Sequence, residues 1–285
     1  MHFLIGPRKR GRRLHAAHGT AIAAFLLIST AGCSSHQTTA SATASPADEP
    51  SAAAVADAPS PVDEPSPAVA APDSDPAHIA VYVTPYYNSE GPTIQVGRFS
   101  SGLASADQNE FLSTITTMKQ QWQQLSFPEL YVGAIRLYDL GYRDEAVYWF
   151  YTAQYRGRQF GALVDPAKIG HMGDPGFELN AAADSFFQLV GPWINGYAFG
   201  DTDHLIEVVR KVQTEGRQIT DLNAIYPNVV FIDKSQWAAE NSELAGGMDG
   251  LVQSLQDKAS IEQERVKSGA EARFSKLTSK DLPNP

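Results

Sequence analysis

After residue 77 the chain carries three histidines, His78, His171 and His204, and one of them stands where chemistry is conceivable. The run Lys168-Ile169-Gly170-His171-Met172-Gly173-Asp174-Pro175-Gly176 puts a His and an Asp into a Gly-rich loop. That pairing could give a base with its orienting carboxylate, or two ligands of a metal. No nucleophile or third ligand is near in sequence. The segment therefore reads as a surface loop, with His171 and Asp174 weak candidates and no metal or cofactor expected. Paired carboxylates are the equipment of glycoside hydrolysis, and Glu129, Glu145, Glu178 and Asp184 are available. With 32 acidic residues in 285, any choice of two is arbitrary. His204 lies near a helix start and reads as a capping or solvated residue. A hydrolase elbow, a phosphate-binding Gly loop, a zinc-protease helix and a dinucleotide fingerprint are all absent from the sequence. The residues therefore do not read as those of an enzyme.

A second chemistry is recognition. On the helix expected over residues 144–158, Tyr148, Tyr151 and Tyr155 line the side opposite Ala146 and Phe150, and Arg156 and Arg158 flank its end. Tyr and Arg dominate protein interfaces because they bury much area while keeping a polar handle. The stripe is the candidate partner-binding face. The alternative is a helix packed on both sides, as the middle helices of repeat arrays are.

Lys plus Arg total 22 against 32 Asp plus Glu, a net charge of −10. Residues 1–32 hold five of the basic residues and no acid, so the rest carries 17 basic against 32 acidic, or −15. Such a surface repels phosphate backbones, and no nucleic-acid partner is expected. The single cysteine, Cys33, rules out an internal disulfide framework.

Cys33 is instead placed for lipid chemistry. A basic run, Arg8 to Arg13, precedes the apolar stretch Ala21–Ile28 and the small residues Ser29-Thr30-Ala31-Gly32. The apolar stretch is far shorter than the ~20 residues a permanent span requires, so residues 1–32 read as a signal peptide. Thr30-Ala31-Gly32-Cys33 resembles the bacterial lipobox, although the family keeps an aliphatic residue where Thr30 stands. The resemblance implies cleavage before Cys33 and lipidation of its thiol, which anchors the protein to a membrane. Ser34 stands where an Asp would signal inner-membrane retention. By the same resemblance, the expected location is the cell envelope, at the outer membrane facing the periplasm. Residues 34–77 are mostly Ala, Ser, Pro, Thr and acid, with no Phe, Trp, Tyr, Lys or Arg. They cannot bury enough apolar surface to offset chain entropy, so residues 33–77 read as a lipidated cysteine and a disordered tether. A flexible coil of this length spans roughly 36 Å.

The elements that position the remaining residues are mostly helices in one domain over 78–285. Three short runs, 79–83, 93–96 and 229–232, have strand composition, and the fold class is mainly α (α+β). Asp107 with Glu110 suggests a capping box. From there Phe111, Ile115, Met118, Trp122 and Leu125 share one helical face until Pro128. Pro128 opens a second helix that Gly141 stops, and a third runs over 144–158. A polar helix is expected over 248–278, and the last five residues should fray.

"AIRLYDLGYRDEAVYWFYTAQ" resembles the helix-turn-helix of a tetratricopeptide or Sel1-like repeat, with Ala146, Phe150 and Ala153 at the small and aromatic positions. Leu130, Gly133 and Arg158 depart from it, standing where Trp, Leu and Pro are typical. A partial echo lies 59 residues on, where Gly200-Asp201 matches the turn and Ile206, Val209 and Val212 follow. The resemblance implies stacked helical hairpins. The stretch 91–158 also resembles a family of bacterial envelope proteins with no assigned activity. Together these readings point to a lipid-anchored envelope protein that acts by binding a protein. One concrete form is an immunity-type inhibitor of a toxic periplasmic enzyme. The alternatives are a structural or assembly accessory of the envelope, or a peptidoglycan hydrolase.

Overall fold

The computed structural model describes residues 75–79 and 97–283. The signal peptide, Cys33, nearly all of the tether and the strand candidates at 79–83 (apart from Ile79) and 93–96 lie outside them. The fold is mainly α. Its helices are α1 (Ser100–Ala104), α2 (Gln108–Gln120), α3 (Phe127–Asp139), α4 (Arg143–Leu163), α5 (Pro175–Ala198), α6 (Thr202–Gly216), α7 (Leu222–Ile225), α8 (Lys234–Leu255), α9 (Lys258–Lys267) and α10 (Ala270–Phe274). The third strand candidate is an extended segment that pairs at one antiparallel bridge, Phe231 with Val164. Among the described residues no helix is long and apolar enough to cross a membrane.

The helix starts follow from their caps. The Asp107 carboxylate accepts from the amides of Asn109 and Glu110. Glu110 does not return the bond; its Oε2 accepts from the Ser105 hydroxyl at 2.6 Å. The reciprocal capping box is at α3 instead, where Ser126 and Glu129 bond each other's backbone amides and a proline occupies the first turn. Gly141 ends α3 at φ +90°, which a residue with a Cβ seldom adopts. There the Tyr142 amide reaches back to the Leu137 carbonyl at 2.8 Å and the Gly141 amide to that of Tyr138 at 3.0 Å. This is a Schellman turn, and it folds α4 back along α3.

α4 is the hub. It packs against α3, α5, α6 and α8, and Ala146, Trp149, Phe150 and Ala153 are fully buried along it. Gly133, a departure from the repeat pattern, has a local cause. A Cβ there would lie 2.5 Å from two ring carbons of Trp149, so the large residue sits on α4 and the small one on α3. The second pair differs from the first. α5 and α6 touch only sparingly, and α6 packs instead on α4. Val209 and Val212 are buried as the 59-residue echo predicts, while Ile206 is only half-buried beside the buried Leu205.

Two boundaries are corrected. α4 runs to Leu163, five residues past the expected end. The polar helix expected over 248–278 is three helices, beginning at Lys234 and broken at Gln256-Asp257 and Ser268-Gly269. Asp257 bonds the Ser260 amide and restarts the chain as α9, and Gly269 takes φ +75° before α10. The tail is tied down as far as Leu282, and the last two of the five residues expected to fray lie outside the described residues. The Lys280 amide donates to the Gly141 carbonyl at 2.8 Å, and Leu282 packs partly buried against the core. This tail straps the α3–α4 turn.

Candidate functional site

The tyrosine stripe is core, and as a partner-binding face it is corrected. Because α4 is covered on several sides, each tyrosine points at a different neighbour. The Tyr148 hydroxyl donates to Glu215 Oε2 on α6 at 2.6 Å, and its ring stacks on Trp122 at 5.2 Å. The Tyr151 hydroxyl donates to Asn195 Oδ1 on α5 at 3.0 Å. The Tyr155 hydroxyl donates to Asn241 Oδ1 on α8 at 3.2 Å. Tyr151 and Tyr155 are 1% and 2% exposed, and Tyr148 is half-buried. Burial pushes the Tyr151 and Tyr155 phenols above their ordinary range. Tyr148 moves the same way, through burial and then its bond to Glu215. Arg156 is engaged too. Its Nη1 donates to the carbonyls of Trp122 and Leu125, both at 2.8 Å, and burial lowers its pKa. Arg158 is exposed, close enough to Tyr131 for its charge to act on that phenol.

The other sequence candidates are dispersed. His171 is exposed, and Asp174 takes its backbone amide at 2.7 Å, so the pair closes a local turn. Among the described residues no three His, Cys, Asp or Glu side chains are grouped to hold a metal. Glu145 pairs with Lys119 at 2.9 Å and accepts from Trp149 Nε1 at 2.7 Å. Glu178 Oε1 accepts the Gly173 amide at 2.8 Å, and Asp184 is exposed on α5. Glu129 is 4% exposed and takes four donors. Arg98 Nε reaches its Oε1 at 2.6 Å, and Arg98 Nη2 its Oε2 at 3.3 Å. The Ser126 amide and hydroxyl reach Oε2 at 2.7 and 3.0 Å. That carboxylate is a fixed structural anion.

It also lines an open groove of about 910 Å³ that the sequence reading did not locate. One wall is the turn at Gln123–Gln124 and the start of α3 at Ser126, Pro128 and Glu129. The far end is the start of α5, at Pro175, Glu178 and Leu179. The opposite wall is the segment 218–229, which includes α7. Leu179, Tyr226 and Val229 are buried in it, Ile219 and Ile225 are half-buried, and Gln123, Gln124, Gln218 and Asn228 form an exposed polar rim. The walls are pinned from below. The Phe127 amide donates to the Tyr226 hydroxyl at 3.0 Å, and the Tyr226 ring packs on Phe127 and Phe160. An apolar trough with convergent polar groups on a rigid floor is the usual form of a binding site. The sequence does hold two signals of it: the Ser126-x-x-Glu129 box and the Tyr226-Pro227-Asn228 turn.

The chain is 26% identical over 188 residues to an uncharacterized protein of Haemophilus influenzae, a match covering 64% of this chain and 68% of that one. No protein-family model matches the chain, and no solved structure does.

Proposed function

We propose that the chain is a lipid-anchored envelope protein that acts by binding a protein, and that the groove between the start of α3 and the segment 218–229 is where it binds. The groove is the observation that carries this reading. It offers half-buried apolar side chains inside a polar rim, and the Glu129 and Tyr226 bonds fix its lining. The anchor part rests on Cys33 and the sequence before it. The body from residue 78 on carries 17 basic and 25 acidic residues, a net charge of −8. That charge favours a basic partner and speeds its encounter. The specific form is an immunity-type inhibitor that captures a basic, toxic enzyme acting on wall or membrane.

Co-purification from detergent-solubilised membranes tests it. One stoichiometric partner should be recovered with the wild type and lost with Ala224→Arg, which places a large cation on the exposed groove wall without touching the core. A purified toxic enzyme should then be inhibited by the wild type alone. Recovery of envelope machinery would favour the assembly accessory, and turnover of wall fragments by the isolated protein would favour the hydrolase. A partner that binds Ala224→Arg as well as the wild type would remove the groove from the account.

A further inference from the structure

The long helix α5 packs on α4, α3 and α10 and leaves one side uncovered. Phe177 and Leu189 on that helix are 38% and 52% exposed, and Met172 in the loop before it is 85% exposed. Phe177, Ala181, Ser185 and Leu189 follow one another at steps of four and are all exposed, so they form one ridge along the helix. The ridge is large at its ends and small in its middle, a shallow seat about 18 Å long. α5 carries Glu178 and Asp184 but no Lys or Arg. A helix face meant for water normally carries more charge than this.

The next position on the same row is Trp193, and there the chain arrives from the tether. The Tyr138 hydroxyl donates to the Pro76 carbonyl at 2.9 Å and lies 3.5 Å from that of Trp193. The Ile79 amide donates to Asp139 Oδ1 at 2.9 Å, which fixes the point of entry. Going back along the chain, residues 73–75 need to cross little more than one helical turn to reach Leu189. Before them Pro65-Ser66-Pro67-Ala68-Val69-Ala70-Ala71-Pro72 holds no charge, between Asp63-Glu64 on one side and Asp73 on the other. Eight residues extended at about 3.1 Å each cover about 25 Å, enough for the ridge. The segment is joined to the body three residues away, so docking is intramolecular and a weak contact suffices to populate it. Run in this direction, Asp63 and Glu64 come to the start of α5, where the helix dipole favours negative charge and where Lys168 and His171 are exposed. A second copy suits the ridge less well. Antiparallel pairing of two ridges about their middle sets Asp184 against its own copy, and juxtaposed like charges are costly.

We propose that residues 65–72 of this chain dock along the α5 ridge, with Val69 seated over Ala181 and Ser185 between Phe177 and Leu189. The docked tether leaves the body at the start of α5, beside the end of the groove at Glu178 and Leu179, and not at Trp193. The docking does not depend on the protein-binding reading. Distances between spin labels on the full chain in detergent test it. Cys33→Ser leaves introduced cysteines as the only thiols, and the labels are carried by Ser66→Cys and Met172→Cys. Docked, the pair gives one narrow distance distribution; free, a coil of residues 66–75 wanders over roughly 17 Å and the distribution is broad. Val69→Asp changes nothing in the folded body and should broaden the distribution, as should Leu189→Ser on the exposed ridge. Val69→Leu should leave it narrow. A broad distribution in the parent chain would overturn the proposal, and so would a narrow one that both disruptive variants leave unchanged. A dipolar signal from chains labelled at Met172→Cys alone, lost with Leu189→Ser, would give the ridge to a second copy instead.

Discussion

Replacing Asn241 by leucine tests whether the tyrosines of α4 are parts of the core. Asn241 is 5% exposed and sits at the junction of three helices. Its Oδ1 accepts from Tyr155 at 3.2 Å and from Gln159 Nε2 at 2.7 Å, and its Nδ2 donates to the Gly216 carbonyl at 3.0 Å. Leucine has similar bulk and supplies none of these bonds. Two donors and one acceptor are left unpaired, at about 1–3 kcal/mol each. Part of that is recovered by relaxation, so the expected loss is about 3–5 kcal/mol. For a helical body of this size that lowers the melting temperature by about 6–20 °C. Packing limits the escape routes, because Gly216 lies so close to Tyr155 that a Cβ there would be 2.3 Å from a ring carbon. The diagnostic step is a second change. Tyr155→Phe alone should cost about 1 kcal/mol, but in the Asn241→Leu background it removes an orphaned hydroxyl and should cost less or restore stability. Thermal and urea melts of the four proteins measure this. If Asn241→Leu melts within a degree or two of the wild type, or if the two changes simply add, the buried network is not holding α4 to α8.

The anchor, the packing and the alkaline limit give three more expectations. Cys33→Ala should release the protein from membranes and abolish labelled palmitate incorporation, since one thiol carries the attachment. Wild type without label would defeat the lipoprotein reading. Gly133→Ala should destabilise by about 1–3 kcal/mol, because its Cβ would enter the Trp149 ring. Gly246→Ala, in a helix with open space around it, should stabilise by up to about 1 kcal/mol, and melts that rank the two alike would contradict the packing. Burial raises the phenol pKa of Tyr131, Tyr138, Tyr151 and Tyr226. Above pH ~10 the unfolded chain has lost protons that the folded one keeps, so stability falls as pH rises through that range. Absorbance at the tyrosinate band should therefore rise together with unfolding, and ionisation of all tyrosines near pH 10 in the folded protein would refute it.

The elements legible in the sequence are those whose causes are local. Phe111, Ile115 and Met118 repeat on one face and are all buried. Pro128 and Gly141 bound α3 because one fits a first helical turn and the other a left-handed exit. The groove is less legible because its walls are remote from one another in sequence. Arg98 meets Glu129 across 31 residues and Tyr226 meets Phe127 across 99, and no periodicity within 218–229 announces a wall. The Ser126–Glu129 box is written in the sequence, and a strict search for Ser-x-x-Glu would have found both the helix start and the buried carboxylate.

The tyrosine stripe shows a different limit. A helical wheel correctly places Tyr148, Tyr151 and Tyr155 away from Ala146 and Phe150, but it says nothing about what lies there. In an outer helix that side is solvent; in a hub it is three other helices. The discriminating signal is in the partners. Asn195, Glu215 and Asn241 are polar residues on helices that pack against α4, and each accepts one tyrosine hydroxyl. A buried tyrosine requires such an acceptor, and a tyrosine meant for an outside partner does not. A tyrosine hydroxyl matched by its own asparagine is a finished piece of core.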